Sequence, residues 1–387
     1  SQVRRIQHSL VREELNEPPQ GTLLGSHFFT QLVEKLRGLS PVFEGKNIVF
    51  LLDDFSGPKV PGSVQKALLP IIWNSGGGYS FRVSAHSESI QTVDVRNNHY
   101  KLNREFREIN LGRSYLEATA TAKSEQAAID FIDDIFARRF AFSKNLKGIS
   151  LSDLLGEDTE GPIAARLRDL YERNIARSFR YHGRNTIMKL CSGDISYLID
   201  MLGQMSRHSG AGLVPKNTQH RGIRQYAWSE LYSLRDVVSM SGTNLFQIAL
   251  SFGKFSRSKL ITRRGTKKDA RPDEYLKIEI ELDQATEYVS RAIADLLQNG
   301  VFIDGGFSNS NKGLPARKLF FRRIFTPAFH TSYNSANTLP MTASKFEKFV
   351  RSPEAFLRER VAEDGVGPQD QASFIDQLAQ TVDPDEA

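Results

Sequence analysis

The residues best suited to chemistry in this chain of 387 residues are two adjacent carboxylates, Asp53 and Asp54. They end the run Asn47-Ile48-Val49-Phe50-Leu51-Leu52 and are succeeded by Phe55 and Ser56. Five apolar residues without alternation read as a strand buried on both faces, as in a parallel α/β sheet. Ligands of such sheets bind beyond the carboxyl ends of the strands. Two carboxylates at that rim suit a hydrated Mg²⁺ carrying nucleotide phosphates, because Mg²⁺ takes oxygen ligands and usually one or two carboxylates. Asp53 would then hold the metal through water, and Asp54 would orient or deprotonate the attacking water. The plain alternative is a central strand ending in two solvated carboxylates. A nuclease-like metal enzyme is a third reading, weakened because the next strand end offers only Glu88 as a further carboxylate.

The next strand brings other polar groups to the same rim. After the loop Ser56-Gly57-Pro58-Lys59-Val60-Pro61 come Val64, Ala67, Leu68, Ile71, Ile72 and Trp73 at helical spacing, with Pro70 among them, and then Gly76-Gly77-Gly78. Tyr79 to His86 reads as a strand, which makes a βαβ unit. Ser84 or His86 would lie at the same edge as Asp53 and Asp54 and sense a γ-phosphate; a satisfied loop histidine is the alternative for His86. Arg104, Arg107 and Arg113 surround a few apolar residues. One of them, in this chain or in a neighbouring subunit, could act as an arginine finger; a solvated strand with salt bridges is the alternative.

The elements that position these groups are mostly helical. Phe28, Phe29, Leu32, Val33 and Leu36 predict a helix over 27–39, stopped at Ser40-Pro41. Ala128, Phe131, Ile132, Ile135 and Phe136 predict another from Ser124, its cap, to Arg139. Shorter helical patches lie at 151–155 and 163–175, and Asp194-Ile195 opens a helix through Met205. Cys191 reads as a small buried hydrophobe. Two further helices carry Trp228 to Val238 and Leu245 to Phe252, and a third, capped by Asp283, carries Val289, Ala292, Ile293 and Leu296 and ends before Gly300. A short strand at 301–303, a loop at 305–313 and a returning strand at 318–325 complete a winged-helix arrangement. Arg291 on the third helix, and Lys312, Arg317, Lys318, Arg322 and Arg323 on the hairpin, are candidate DNA contacts, chiefly to phosphates. The alternative is a winged helix used for protein contact. Few side chains on the third helix suit base reading, so binding would be non-specific or weakly specific. Phe346, Phe349, Phe356 and Leu357 would pack back onto the body, ahead of an acidic tail.

Composition sets outer limits. Charged residues are 25% and hydrophobic residues 40% of the chain, ordinary for a soluble globular protein. One cysteine excludes a disulfide framework or a cysteine zinc site and fits a reducing cytoplasm. No apolar run is long enough for a membrane helix, and Ser1 to Arg12 does not read as a signal peptide. The net charge of +6 leans toward polyanionic partners. It is unevenly spread: Arg207 to Arg271 holds 13 Lys/Arg against 3 Asp/Glu, and Glu354 to the end holds 9 acids against 2 bases.

An Asp-Asp strand end, a polar strand end one helix later, arginines, a helical segment opening Ser192-Gly193-Asp194 and a winged helix stand in the order of AAA+ ATPases. Over roughly residues 27–330 the chain resembles most the origin-recognition (ORC/Cdc-six-like) branch and its bacterial relatives, or the neighbouring STAND ATPases. The resemblance implies an α/β P-loop NTPase core with a parallel sheet, followed by a helical lid and a winged helix. The expected domains are 1–120 for a partial core, 121–210 for the lid, 211–335 for the winged helix and 336–387 for a final helix and tail. It implies ATP and Mg²⁺ as cofactors, DNA and a homo-oligomer or partner protein as partners, and, through the bacterial relatives, defence or mobile-element biology. It makes Asp53 and Asp54 the Walker B pair and Ser84 or His86 sensor 1, and it puts Asp194 to Tyr197 where sensor 2 falls. Two features depart from the family. No Gly-x-x-x-x-Gly-Lys-Ser/Thr loop occurs, so the phosphate cradle is expected upstream of Ser1, is lost, or is supplied elsewhere. The lid segment also lacks the usual sensor 2 arginine. A degenerate ATPase fold that scaffolds protein partners is the second expectation.

Overall fold

The computed structural model describes residues 26–56, 59–73, 78–86, 90–101, 104–110, 122–144, 146–157, 181–192, 194–206, 212–239, 241–261, 275–310, 313–333 and 337–362. The chain divides into two compact units, Ser1–Glu108 and Ile109–Ala387.

In the first unit, helix α1 (Ser26–Leu39) leads to strand β1 (Ile48–Leu52), helix α2 (Gly62–Ile72) and strand β2 (Tyr79–Val83). Ser40 and Pro41 end α1 as expected, opening a 3₁₀ turn in which the Ser40 hydroxyl accepts from the Val42 N–H. β1 and β2 pair in parallel, from Ile48 opposite Tyr79 to Leu52 opposite Val83, and α2 lies in the crossover that parallel strands require. Phe29 of α1 packs on the inner face, its ring 5.0 Å from that of Phe50 and 4.9 Å from that of Phe81.

The outer face differs from the expectation of a strand buried on both sides. Val49 is 41% and Leu51 74% exposed. Alternate side chains of a strand point to opposite faces, and here only one face is covered among the described residues. An all-apolar run conceals that alternation. β1 also has a single parallel neighbour among the described residues.

The second unit begins with α3 (Ala122–Ala141), α4 (Leu151–Leu155), α5 (Arg184–Cys191), α6 (Ile195–Ser206) and α7 (Lys216–Ser233). Its α3 differs in detail from the expected helix. Ser124 lies inside it, and its buried stripe is Ile129, Ile132, Phe136 and Phe140, with Phe131 exposed. Ser150 and Asp153 form a capping box on α4. Cys191 is buried, as expected. The patch at 163–175 lies outside the described residues.

Gln219 of α7 is fully buried and joins three segments. Its Oε1 accepts from the Gly183 N–H at 2.8 Å, and its Nε2 donates to the carbonyls of Leu155 at 2.8 Å and Val214 at 2.7 Å. Buried main-chain groups need such partners.

Next in the chain come α8 (Leu245–Ile261), β3 (Tyr275–Glu281), α9 (Glu287–Gln298), β4 (Phe302–Asn309), β5 (Pro315–Phe321), β6 (Asn337–Thr342), α10 (Ala343–Arg351) and α11 (Pro353–Ala362). The strands form one sheet in the order β4-β5-β3-β6, antiparallel except for the β3–β6 pair. The expected helix and hairpin are present as α9, β4 and β5. The sheet is larger than a hairpin, because β3 and β6 extend it.

Several local features differ from expectation. The returning strand expected over 318–325 ends at Phe321, and Arg323–Phe329 is a 3₁₀ helix. The helix expected from Trp228 to Val238 ends at Ser233, with a 3₁₀ turn over Leu234–Asp236. Thr286, not Asp283, caps α9, its hydroxyl accepting from the Val289 N–H. Most of the expected 305–313 loop is strand, with an irregular register between Asp304 and Phe307. Gly305 fits there because a Cβ would lie 2.5 Å from the Phe320 ring. A continuous apolar core runs through this unit from Ile129 to Phe356, with Phe346 and Phe349 fully buried.

Candidate functional site

Past Leu52 and Val83 main-chain hydrogen bonds carry the pairing a little further, and side chains add to it. The Ser84 N–H donates to the Leu52 carbonyl at 2.9 Å, and the Phe55 N–H to the Ser84 carbonyl at 2.8 Å. The Ser84 hydroxyl donates to Asp53 Oδ1 at 2.6 Å and accepts from the Asp54 N–H at 2.8 Å. Ser56 is buried, and its hydroxyl accepts from the His86 N–H at 3.2 Å. Asp53, Asp54, Ser84 and the His86 backbone therefore meet at one edge, the carboxyl ends of two parallel strands.

Asp54 has φ of +53°, a left-handed conformation that Asp tolerates better than most residues. Its Oδ2 lies 2.6 Å from Lys59 Nζ. The Lys59 hydrogen bond, and after it one from Ser56, holds the Asp54 carboxyl below the usual range. Lys59 is raised in turn by Asp54. Both side chains are well exposed, so the pair adds little to stability. A carboxylate kept ionised in this way is a weak base and a good electrostatic ligand.

The donor set can be compared with Mg²⁺. Two carboxylates beside a hydroxyl suit an ion that keeps waters and takes further oxygens from phosphates. No cluster of three or more His, Cys, Asp or Glu able to hold a metal exists among the described residues. The edge therefore offers two carboxylates and one hydroxyl as oxygen donors, fewer than a protein-only cage needs.

The remaining expected residues lie elsewhere. Arg104 is paired with Glu105 at 3.1 Å, and Arg107 is exposed. No hydrogen bond or ion pair joins either to Asp53 or Asp54 among the described residues. Asp194 accepts from the Ser196 N–H at 3.1 Å and hydroxyl at 2.6 Å at the start of α6. Its Oδ2 lies 3.7 Å from Arg322 Nη1. Arg322 also donates to the Tyr197 hydroxyl at 2.5 Å and sits over that ring. The aspartate at the start of α6 and the hairpin arginine thus engage each other.

Arg317 is buried, with Nε 3.2 Å from Asp304 Oδ1, and it stacks on Phe307. Lys318 lies 3.6 Å from Glu279, and Arg291 is exposed and paired with Glu287 four residues before it. Arg323 is half-buried and also partnered. Lys312 lies outside the described residues. The hairpin cluster that reads in sequence as acid-free therefore meets acids from β3, β4 and the start of α6 in space.

A cavity of about 710 Å³ lies in the second unit, between the start of α8, α9, α10 and α11. Sequence reasoning misses it, because its lining comes from segments far apart in the chain.

A family model described as ORC-CDC6-like matches residues 162–341, a little under half of the chain. The matched part, from before α5 through most of β6, is similar to ORC-CDC6-like proteins, which supports an AAA+ relationship. The match does not extend to Asp53 and Asp54. No curated protein and no solved structure matches the chain. No helix among the described residues is long and apolar enough to cross a membrane.

Proposed function

We propose that this chain is an AAA+-type ATP-binding protein whose nucleotide state controls assembly and DNA contact. The observation that carries the reading is the Asp53–Ser84–Asp54 constellation at the carboxyl ends of two parallel strands, where such sheets bind ligands. The ORC-CDC6-like match over 162–341 supports it from the other unit. In this reading Asp53 and Asp54 would hold the Mg²⁺ of bound ATP, which would supply charge neutralisation on the phosphates. Ser84 fixes the Asp53 carboxylate and the Asp54 backbone, and Ser84 or His86 would sense the γ-phosphate. An arginine of this chain or of a neighbouring subunit is the natural complement; Arg104 is engaged by Glu105.

The sequence has no phosphate loop of its own, so the proposal requires that cradle from another segment or chain. Titrating Mg–ATP into this chain, and into a version extended at its amino end, tests the point. Tight binding only by the extended form is expected, with hydrolysis lost in Asp54→Asn. Equal tight binding by both contradicts the proposal.

DNA is the proposed partner because of the excess of bases between Arg207 and Arg271. Arg317 and Arg322 are engaged in ion pairs, which leaves Arg263, Arg264, Lys267 and Lys268 as the first candidates for phosphate contact. Replacing these four with Ala should flatten the salt dependence of DNA binding. DNA binding that is absent at low salt would favour the protein scaffold instead.

A further inference from the structure

The cavity between α8, α9, α10 and α11 holds an unusual combination of groups. Its volume of about 710 Å³ lies within the range of small-molecule sites. Asn244 caps α8, its Oδ1 accepting from the Gln247 N–H at 3.0 Å. In a capping box a Gln at this position returns a bond to the cap. Here Gln247 Oε1 is buried without a hydrogen-bond partner, in a cavity it helps to line. A buried acceptor left unpaired is costly and calls for a donor.

Two arginines also line the cavity. Arg351 lies 3.9 Å over the Tyr288 ring and is held by Glu347 at 2.8 Å. Arg358 lines the cavity and makes no hydrogen bond or ion pair among the described residues. Glu354 is the one acidic side chain in the lining. Leu245 and Pro353 start helices at the cavity edge, and helix starts favour anions. The cavity lining thus holds a fixed cation, an unengaged cation and a buried acceptor next to Asn244.

We propose that this cavity binds a nucleoside phosphate. The phosphate would be taken by Arg358 and Arg351, and a base would place its amino group on Gln247 Oε1 with Asn244 beside it. An anion alone would leave Gln247 unsatisfied, and a neutral donor alone would leave Arg358 unused. The site shares no residue with the Asp53–Asp54 edge, carries a single carboxylate, Glu354, and does not depend on the nucleotide reading of that edge.

The test is calorimetric titration of the full chain with AMP, GMP, CMP and UMP in EDTA, which removes any Mg²⁺-dependent site. Inorganic phosphate is titrated in parallel. Saturable binding of at least one nucleotide is expected, weakened about tenfold or more by Arg358→Glu and by Gln247→Leu, with unchanged melting of both variants. Because Arg358 is exposed, a folding failure there is not expected. If Gln247→Leu melts early, Gln247→Met replaces it, since Met keeps the unbranched shape of Gln and still removes the acceptor. No binding by any of the four nucleotides at millimolar concentration overturns the proposal. So does inorganic phosphate binding as tightly as the nucleotides, or binding indifferent to Arg358→Glu.

Discussion

Arg317→Ala separates a structural arginine from a DNA-contacting one. Arg317 Nε lies 3.2 Å from Asp304 Oδ1, and the two side chains are 11% and 18% exposed. Removing one partner of a buried ion pair costs about 3–5 kcal/mol, because the other charge stays buried alone. Asp304 keeps the Gly306 N–H at 3.0 Å, which puts the expected loss at the lower end, about 3 kcal/mol. At roughly 2 °C per kcal/mol for a unit of this size, the melting midpoint should fall by about 6 °C. Denaturant unfolding of Arg317→Ala, Asp304→Ala and the double variant gives the pair's coupling directly. The double variant should be less damaged than the two single losses summed, by about 1.5 kcal/mol or more. Additive losses, or an Arg317→Ala protein that melts normally and only binds DNA with a shallower salt slope, would refute the argument.

Other outcomes rest on the same geometry. Gly253→Ala should destabilise the second unit by about 1–3 kcal/mol despite the better helix propensity of Ala, because a Cβ there would lie 2.2 Å from the Phe329 ring; thermal melting reads it. Gln219→Leu leaves three buried main-chain groups unpaired and should cost about 3 kcal/mol or more, measured by denaturant titration. Burial pushes the Glu230 carboxyl above its ordinary range. The folded state therefore binds the proton more tightly than the unfolded one, and stability should fall as pH rises from the unfolded value through the folded one. Glu230→Gln should flatten that part of the stability–pH curve, and an unchanged slope would remove Glu230 as the cause. Asp54 runs the other way. Its lowered pKa adds stability above the ordinary carboxylate range that is lost as pH falls through the folded value, and Lys59→Ala should bring the Asp54 titration, tracked by NMR, back toward the ordinary range.

Much of the local structure is legible in the sequence, for definite reasons. Helical spacing marks α1, α6 and α9, and the positions of Asp53, Asp54 and Ser84 come from strand, crossover and strand. The alternation of Tyr275-Leu276-Lys277-Ile278-Glu279-Ile280-Glu281 is also a strand signal, with Leu276, Ile278 and Ile280 buried, and it locates β3. β6 is harder to read, because Pro340 and several polar residues obscure its alternation and its pairing with β3 lies far away in sequence.

What the chain by itself determined was where strands and helices form and which charges end them, since spacing and backbone preference act over a few residues. Tertiary structure decided what each charge does. Arg317 and Arg322 look like free cations in a stretch, 305–325, that contains no acid, and folding brings Asp304 from the facing strand and Asp194 from far earlier in the chain to them. The Val49–Leu51 face looks covered in a continuous apolar run, and only the tertiary structure reveals it as exposed. The Gln247 cavity is likewise a product of folding, because no stretch of sequence contains both of its walls. Burial and opposite charge are properties of neighbours in space, and those neighbours are set by the fold rather than by adjacency along the chain.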